Sequence, residues 1–168
     1  MQLIIKDKIQ KFMKGYPTVS DKYNVAGGTL MGSTAAKFGE LVKFSSTKGY
    51  FEAITSTVAL TDIAGFVLAT NVKLNETWPE GQVQVNPGEA FNLLVNGFMA
   101  IELDSAATES YIKANAPVDV ILASGKLTTS DKNSSGTIEH LPNVVFTGEY
   151  ENRGTVANPV WYAEIYVK

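Results

Sequence analysis

The chain contains no cysteine, a single histidine (His140) and a single arginine (Arg153) among its 168 residues. Each scarcity removes a class of chemistry. Without cysteine there is no disulfide framework, no thiol nucleophile and no thiolate metal site. One histidine cannot build a multi-histidine metal centre. No Gly-x-Ser-x-Gly elbow offers it a serine partner for a triad either, so His140 reads as a solvated loop residue. A single arginine argues against direct nucleic-acid binding, because arginine is the preferred group for bidentate phosphate and base contacts. No run of about 18 apolar residues is present, so no membrane-spanning helix is expected. The start, Met1–Lys8, has too short an apolar stretch and no small-residue cleavage site, so it is not read as a secretory signal. Asn75-Glu76-Thr77 and Asn133-Ser134-Ser135 match the glycosylation pattern but are read as accidental on the same ground.

What is present points to a folded body. Hydrophobic residues make up 45% of the chain and charged residues 18%, a balance that supports one domain with a sizeable core. The net charge of −3 conceals an asymmetry. Residues 1–48 carry eight lysines against three carboxylates, a net +5, which leaves −8 for the remainder. A basic leading segment on an acidic body suits an acidic protein partner or another copy of the same chain.

The richest stretch is Phe91–Asp104. Two apolar runs flank Asn96-Gly97, the dipeptide that best tolerates a type I′ turn, so the spacing predicts a β-hairpin with Val95 facing Phe98 and Leu93 facing Ala100. Both faces of this hairpin are largely apolar, which requires a cover on each side: another sheet, the N-terminal segment or a partner subunit. Elsewhere the strands are short and separated by turn signals. Leu41–Phe44 pairs with Tyr50–Ile54. Ile63–Ala69 carries Gly65 as a bulge site. Gln82–Val85 alternates, and Val118–Ala123 with Lys126–Thr129 forms a hairpin across Ser124-Gly125. Asn143–Phe146 is a short apolar segment. In Val160–Val167, Trp161, Ala163, Ile165 and Val167 share one face. Ser20–Ala36 reads as an extended loop, and Asp104 caps a short helix over Ser105–Ala114. The fold class is therefore all-β, a small barrel or sandwich of short antiparallel strands with one short helix. Residues 1–14 form an N-terminal arm and residues 15–168 a single β domain.

In the arm, Ile5, Ile9, Phe12 and Met13 fall at helical spacing, while Leu3, Ile4 and Ile5 also suit an added strand. Lys6, Lys8 and Lys11 lie among them. These nine residues, together with Trp78 in the polar segment before Pro79, are the candidate protein-interface residues.

Other motifs fail on chemistry. Gly27–Thr34 has P-loop glycine spacing, but Ser33 stands where lysine must meet the phosphates. Asp131–Gly136 resembles the first half of a calcium loop, but Pro142 replaces the bidentate glutamate, leaving at most weak calcium binding with help from Glu139. Glu102 with Asp104, and Glu149 with Glu151, are carboxylate pairs at strand spacing with no cleft marked between them. No catalytic residue, metal ligand or cofactor is assigned.

The layout as a whole resembles the structural cement proteins of tailed-phage capsids. A glycine-rich lead-in followed by Gly39–Phe44 and Gly65–Ala69 is similar to the first half of that family. Pro87-Gly88, the Asn96-Gly97 element, Val118–Leu122 with Ser124-Gly125, and Trp161–Val167 are similar to the second half. The resemblance covers residues 15 to 168. It implies a non-enzymatic virion protein on the outer capsid surface. Such a protein bridges neighbouring major capsid subunits against the pressure of packaged DNA, with the major capsid protein and other copies of itself as partners. The alternative is a carbohydrate- or receptor-binding virion module, a head-fibre or tail accessory protein using exposed aromatics such as Trp78 and Tyr150.

Overall fold

The structure is a computed structural model and describes residues 14, 15, 18, 23–69, 84–129 and 137–168. The strands are β1 (Asn24–Met31), β2 (Ala36–Lys37), β3 (Leu41–Phe44), β4 (Tyr50–Ala53), β5 (Ile63–Leu68), β6 (Gln84–Val85), β7 (Ala90–Glu102), β8 (Pro117–Ile121), β9 (Lys126–Thr128), β10 (Ile138–Asn152) and β11 (Trp161–Val167). Helical structure among the described residues is confined to 3-10 turns at Leu60–Asp62 and Glu109–Tyr111.

Nine strands join in the order β1-β4-β3-β5-β7-β11-β10-β8-β9, and β1 pairs with β7 as well. That extra pairing closes β1, β4, β3, β5 and β7 into a small barrel. The lower half of β7 continues into an open antiparallel sheet with β11, β10, β8 and β9. Strands β2 and β6 form a separate two-stranded ribbon. The all-β barrel expectation holds, with one departure: β1 and β4 run parallel, Leu30 opposite Phe51.

Two cores follow from this arrangement. The barrel interior holds Leu30, Val42, Phe51, Val67, Phe91 and Leu93. The second core lies between the barrel's outer wall and the open sheet, where Leu41, Phe66 and Leu94 meet Met99, Ile101, Val118, Val120, Phe146 and Ile165. The expected two-sided cover on Phe91–Asp104 is thus real, and the second cover is another sheet.

The predicted hairpin there is not formed. Residues 90–102 are one continuous strand. A type I′ turn needs positive φ at both central residues, and here Gly97 alone has it, at +132°. The strand makes a bulge just before the dipeptide instead, at Val95. Opposite Asn24 and Val25, β7 places Asn96 and Leu94, so Val95 is one residue too many. The extra residue reverses the alternation of side chains. Above it Leu94 faces the second core; below it the odd-numbered Met99, Ile101 and Leu103 do. Asn96 donates from Nδ2 to the Val167 carbonyl at 3.1 Å, tying the bulge to the end of β11. A hairpin would pair β7 only with itself. The continuous strand pairs with β1 and β5 above the bulge and β11 below it, so tertiary pairing overrides the local turn preference.

Ser20–Ala36 is likewise no loop, since it contains β1. Its glycines lower strand propensity but allow close approach. A Cβ on Gly28 would lie 2.1 Å from Cε2 of Phe51. The Phe51 ring covers that gap and meets Phe91 edge-on at 5.7 Å. The helix expected over Ser105–Ala114 shrinks to one 3-10 turn. Ala107 and Ile112 are the buried residues there, and a separation of five places them ~140° apart on an α-helix, too wide for one face. Asp104 Oδ1 instead accepts from the Ala106 amide, 3.0 Å, and the Thr108 amide donates to Thr129 Oγ1 at 2.7 Å.

The remaining elements match their patterns. Strands β3 and β4 pair antiparallel, and β8 pairs with β9 across Ser124-Gly125. The β3 register slips opposite Gly65, the expected bulge site. On β11, Ala163 and Ile165 are fully buried. Asn143–Phe146 proves to be the middle of the much longer β10.

Replacing Gly97 by alanine forces a side chain into a backbone region that only glycine adopts freely. The expected loss is about 1–3 kcal/mol of unfolding free energy, read from the denaturant midpoint; an unchanged midpoint contradicts the positive φ at Gly97.

Candidate functional site

All ten sequence-predicted interface residues, the nine of the arm and Trp78, lie outside the described residues, as does Asp131–Gly136. The structure does describe Lys14 and Gly15. Lys14 bridges Ala100 on the lower half of β7, and the Gly15 amide donates to the Ala100 carbonyl at 2.8 Å. Gly15 and Gly39 cross at backbone contact. A Cβ on Gly15 would lie 2.6 Å from the Gly39 nitrogen, and one on Gly39 would lie 2.7 Å from Lys14 Cγ. Lys14 Nζ sits 3.6 Å from Glu40 and 3.5 Å from Glu102. Lys14 and Gly15 are therefore held to the body by hydrogen bonds, packing and charge.

The carboxylate pairs serve structure. Glu102 accepts from the Tyr162 hydroxyl at 3.1 Å as well as facing Lys14, and Asp104 meets Lys126 Nζ at 3.4 Å. Glu151 pairs with Arg153, whose guanidinium lies 4.3 Å over the Tyr162 ring. His140 is on β10 rather than in a loop. Its ring meets Oδ1 of Asp119, a carboxylate that is only 1% exposed between β9 and β10. Gly27 and Gly28 lie within β1, so they do not form a phosphate-cradling loop. Among the described residues no three His, Cys, Asp or Glu side chains gather to hold a metal.

Tyr150 is no free stacking platform. Its hydroxyl donates to Glu109 Oε1 at 2.7 Å, and its ring meets Trp161 edge-on. The Glu109 carboxylate accepts that hydrogen bond, and with some desolvation and its own negative charge it holds the phenol above its ordinary 10.0.

What the surface offers is apolar relief. An apolar cavity of about 370 Å³ opens where the barrel meets the β10 strand, lined by Phe44, Phe51, Leu93, Val95, Leu141 and Val144 among others. Phe44 and Val95 stand at its rim, 57% and 51% exposed. Phe44 is stabilised in that position by Phe51, ring centroids 5.8 Å apart. The sequence marked Phe44 and Val95 as strand residues; neither stood out as exposed, because exposure depends on where the barrel ends. The barrel, closed by the β1–β7 pairing, offers no open strand edge. The outer edge of the terminal strand β9 is taken by the Asp104 amide, 2.6 Å from the Leu127 carbonyl.

Replacing Tyr150 by phenylalanine should remove a pH-dependent increment of stability. Because the folded phenol is raised, that increment is fully present below pH 10.0 and fades as pH climbs through the raised value. The wild-type and Y150F melting temperatures should therefore differ near neutrality and converge in strong alkali. A constant difference across that range would contradict the bond.

Residues 4–167 match the family described as structural cement protein (E217 gp24/Pam3 gp6). A chain in the solved structure "The capsid of Myoviridae Phage XM1" is similar in fold, with a TM-score of 0.57 and 19% identity over 97% of this chain and 95% of that one. No curated protein matches the chain.

Proposed function

Since the chain belongs to the phage structural cement protein family, a non-enzymatic family, we propose that it binds the outside of the capsid and bridges neighbouring major capsid subunits. The observation that carries this reading is the family match along nearly the whole body. The physical features agree with it. The body is a closed barrel sharing β7 with a second sheet, an architecture suited to resisting internal pressure. Two of its exposed apolar side chains, Phe44 and Val95, flank one apolar cavity and suit contact with a protein neighbour.

In this reading the arm is the second contact. Leu3, Ile4, Ile5, Ile9, Phe12 and Met13 bury apolar surface on a neighbouring subunit, and Lys6, Lys8 and Lys11 attract its carboxylates. Trp78 is a further contact on the polar segment. Each contact is weak, and repetition over a lattice makes the assembly durable.

Cryo-electron imaging of particles with and without the protein tests the placement. Density on the outer surface spanning two capsid subunits is expected; density confined to the interior or the tail rejects it. Deleting residues 1–13 while keeping Lys14 should lower capsid occupancy at least tenfold and leave the melting temperature of the body within a few degrees. Equal occupancy rejects the arm as a contact. Phe44→Ser should reduce capsid binding while changing stability by only about 0.5 kcal/mol, since the side chain is largely exposed.

A further inference from the structure

We infer that the loop of residues 153–160 is a preformed apolar knob that seats in an uncharged depression on a capsid subunit. This role rests on the reading that the chain bridges capsid subunits, and it names a surface that makes one of the contacts.

The loop is longer than its connection requires. Residues 153–160 join β10 to β11, where the commonest hairpin connection needs only about two residues. The added length is folded rather than slack. The Arg153 amide donates to the Val160 carbonyl at 2.9 Å and closes the base. Asn152 Oδ1 accepts from the amides of Gly154, at 2.8 Å, and Val160, at 3.1 Å, so one side chain ties both legs together. At the tip the Thr155 amide donates to the Asn158 carbonyl at 3.1 Å, and the Asn158 amide donates back to Thr155 Oγ1 at 3.0 Å. A Cβ on Gly154 would lie 2.2 Å from the Asn158 carbonyl oxygen, so the legs meet at backbone contact.

This bracing holds an apolar residue out in water. Val156 stands between Thr155 and Asn158 and is 100% exposed, ahead of Phe44 and Val95 among the described large apolar side chains. Chain reversal favours Gly, Pro, Asn, Asp and Ser at such a tip, not valine. Ala157 beside it is exposed as well, and the segment from Gly154 to Val160 has no charged residue. A surface that takes this tip is therefore apolar and uncharged, since a charge opposite it would lose water without gaining a partner. A loop already ordered loses little conformational freedom on docking.

Placement points to a capsid subunit. The loop leads into Trp161 at the start of β11, whereas Val167 at the other end of that strand lines the cavity flanked by Phe44 and Val95. At roughly 3.3–3.4 Å per strand residue, the two ends of β11 are about 20 Å apart. A bridge needs contacts at two separated points, and the three most exposed large apolar side chains supply them at the two ends of one strand. For a member of a capsid cement family, the protein met at both ends is the capsid.

The test uses the full chain. Val156→Asp and Val156→Leu are titrated, beside the wild type, onto capsids that lack the protein. Because Val156 is fully exposed, both variants should keep the wild-type melting temperature. Burying one valine side chain changes a binding constant by roughly tenfold or more. Val156→Asp should therefore lose at least about tenfold in capsid affinity, while Val156→Leu retains it. Equal binding by Val156→Asp and wild type overturns the knob and leaves the bridging reading standing. A wild type that binds no capsid overturns both. Sedimentation of the free protein covers the other occupant: if Val156→Asp disrupts self-association with capsid affinity unchanged, the loop meets a second copy and the inference is overturned.

Discussion

One extra residue in one strand organises this protein. Strand β7 belongs to both the closed barrel and the open sheet, and the bulge at Val95 lets it serve both. Side chains alternate along a strand, so a regular β7 would send Leu94 and Met99 to opposite faces. The inserted residue brings them to the same core. The barrel wall and the open sheet can then be covered by a single apolar layer, with Phe91 and Leu93 left to fill the barrel. Everything else hangs on this: the closure by β1, the end of β11 tied to Asn96, and the ledge at Ala100 that anchors Lys14 and Gly15.

The charged groups follow the logic of a scaffold. Glu102, Asp104, Glu151, Lys14, Lys126 and Arg153 are engaged with one another or with aromatic partners at strand junctions. Partly exposed pairs of this kind contribute modestly in free energy. Their effect is to orient the strands and hold Lys14 against the body. Apolar surface is handled differently: among the described residues most of it is buried in two layers, and Phe44 and Val95 are left exposed together at one cavity rim. A closed barrel joined to a second sheet through one strand, with Phe44 and Val95 exposed at one cavity rim, is suited to contact with protein neighbours. That is in keeping with a family whose members act as capsid cement.

The sequence by itself determined the class of the protein. Alternation and turn residues gave the all-β fold, the β3–β4 and β8–β9 hairpins, the Gly65 bulge and the buried face of β11. The missing cysteine, the lone histidine and the P-loop spacing without its lysine argued against thiol, triad and phosphate-binding centres, and the spacing of glycines with short strands carried the family resemblance. Those signals are local, arising from backbone stereochemistry and side-chain type over a few residues. Only the tertiary structure decided that Asn96-Gly97 continues a bulged strand and is not a turn, that the glycine-rich Asn24–Met31 is a strand, and that the 105–114 segment is not an α-helix. It alone placed Phe44 and Val95 at an open rim and Asp119 under His140. In each case the deciding partner lies far away in the chain: β11 for Gly97, Phe51 for Gly28, Thr129 for Thr108. Local preferences amount to a kilocalorie or so per residue, and a full ladder of hydrogen bonds with a buried aromatic ring outweighs them.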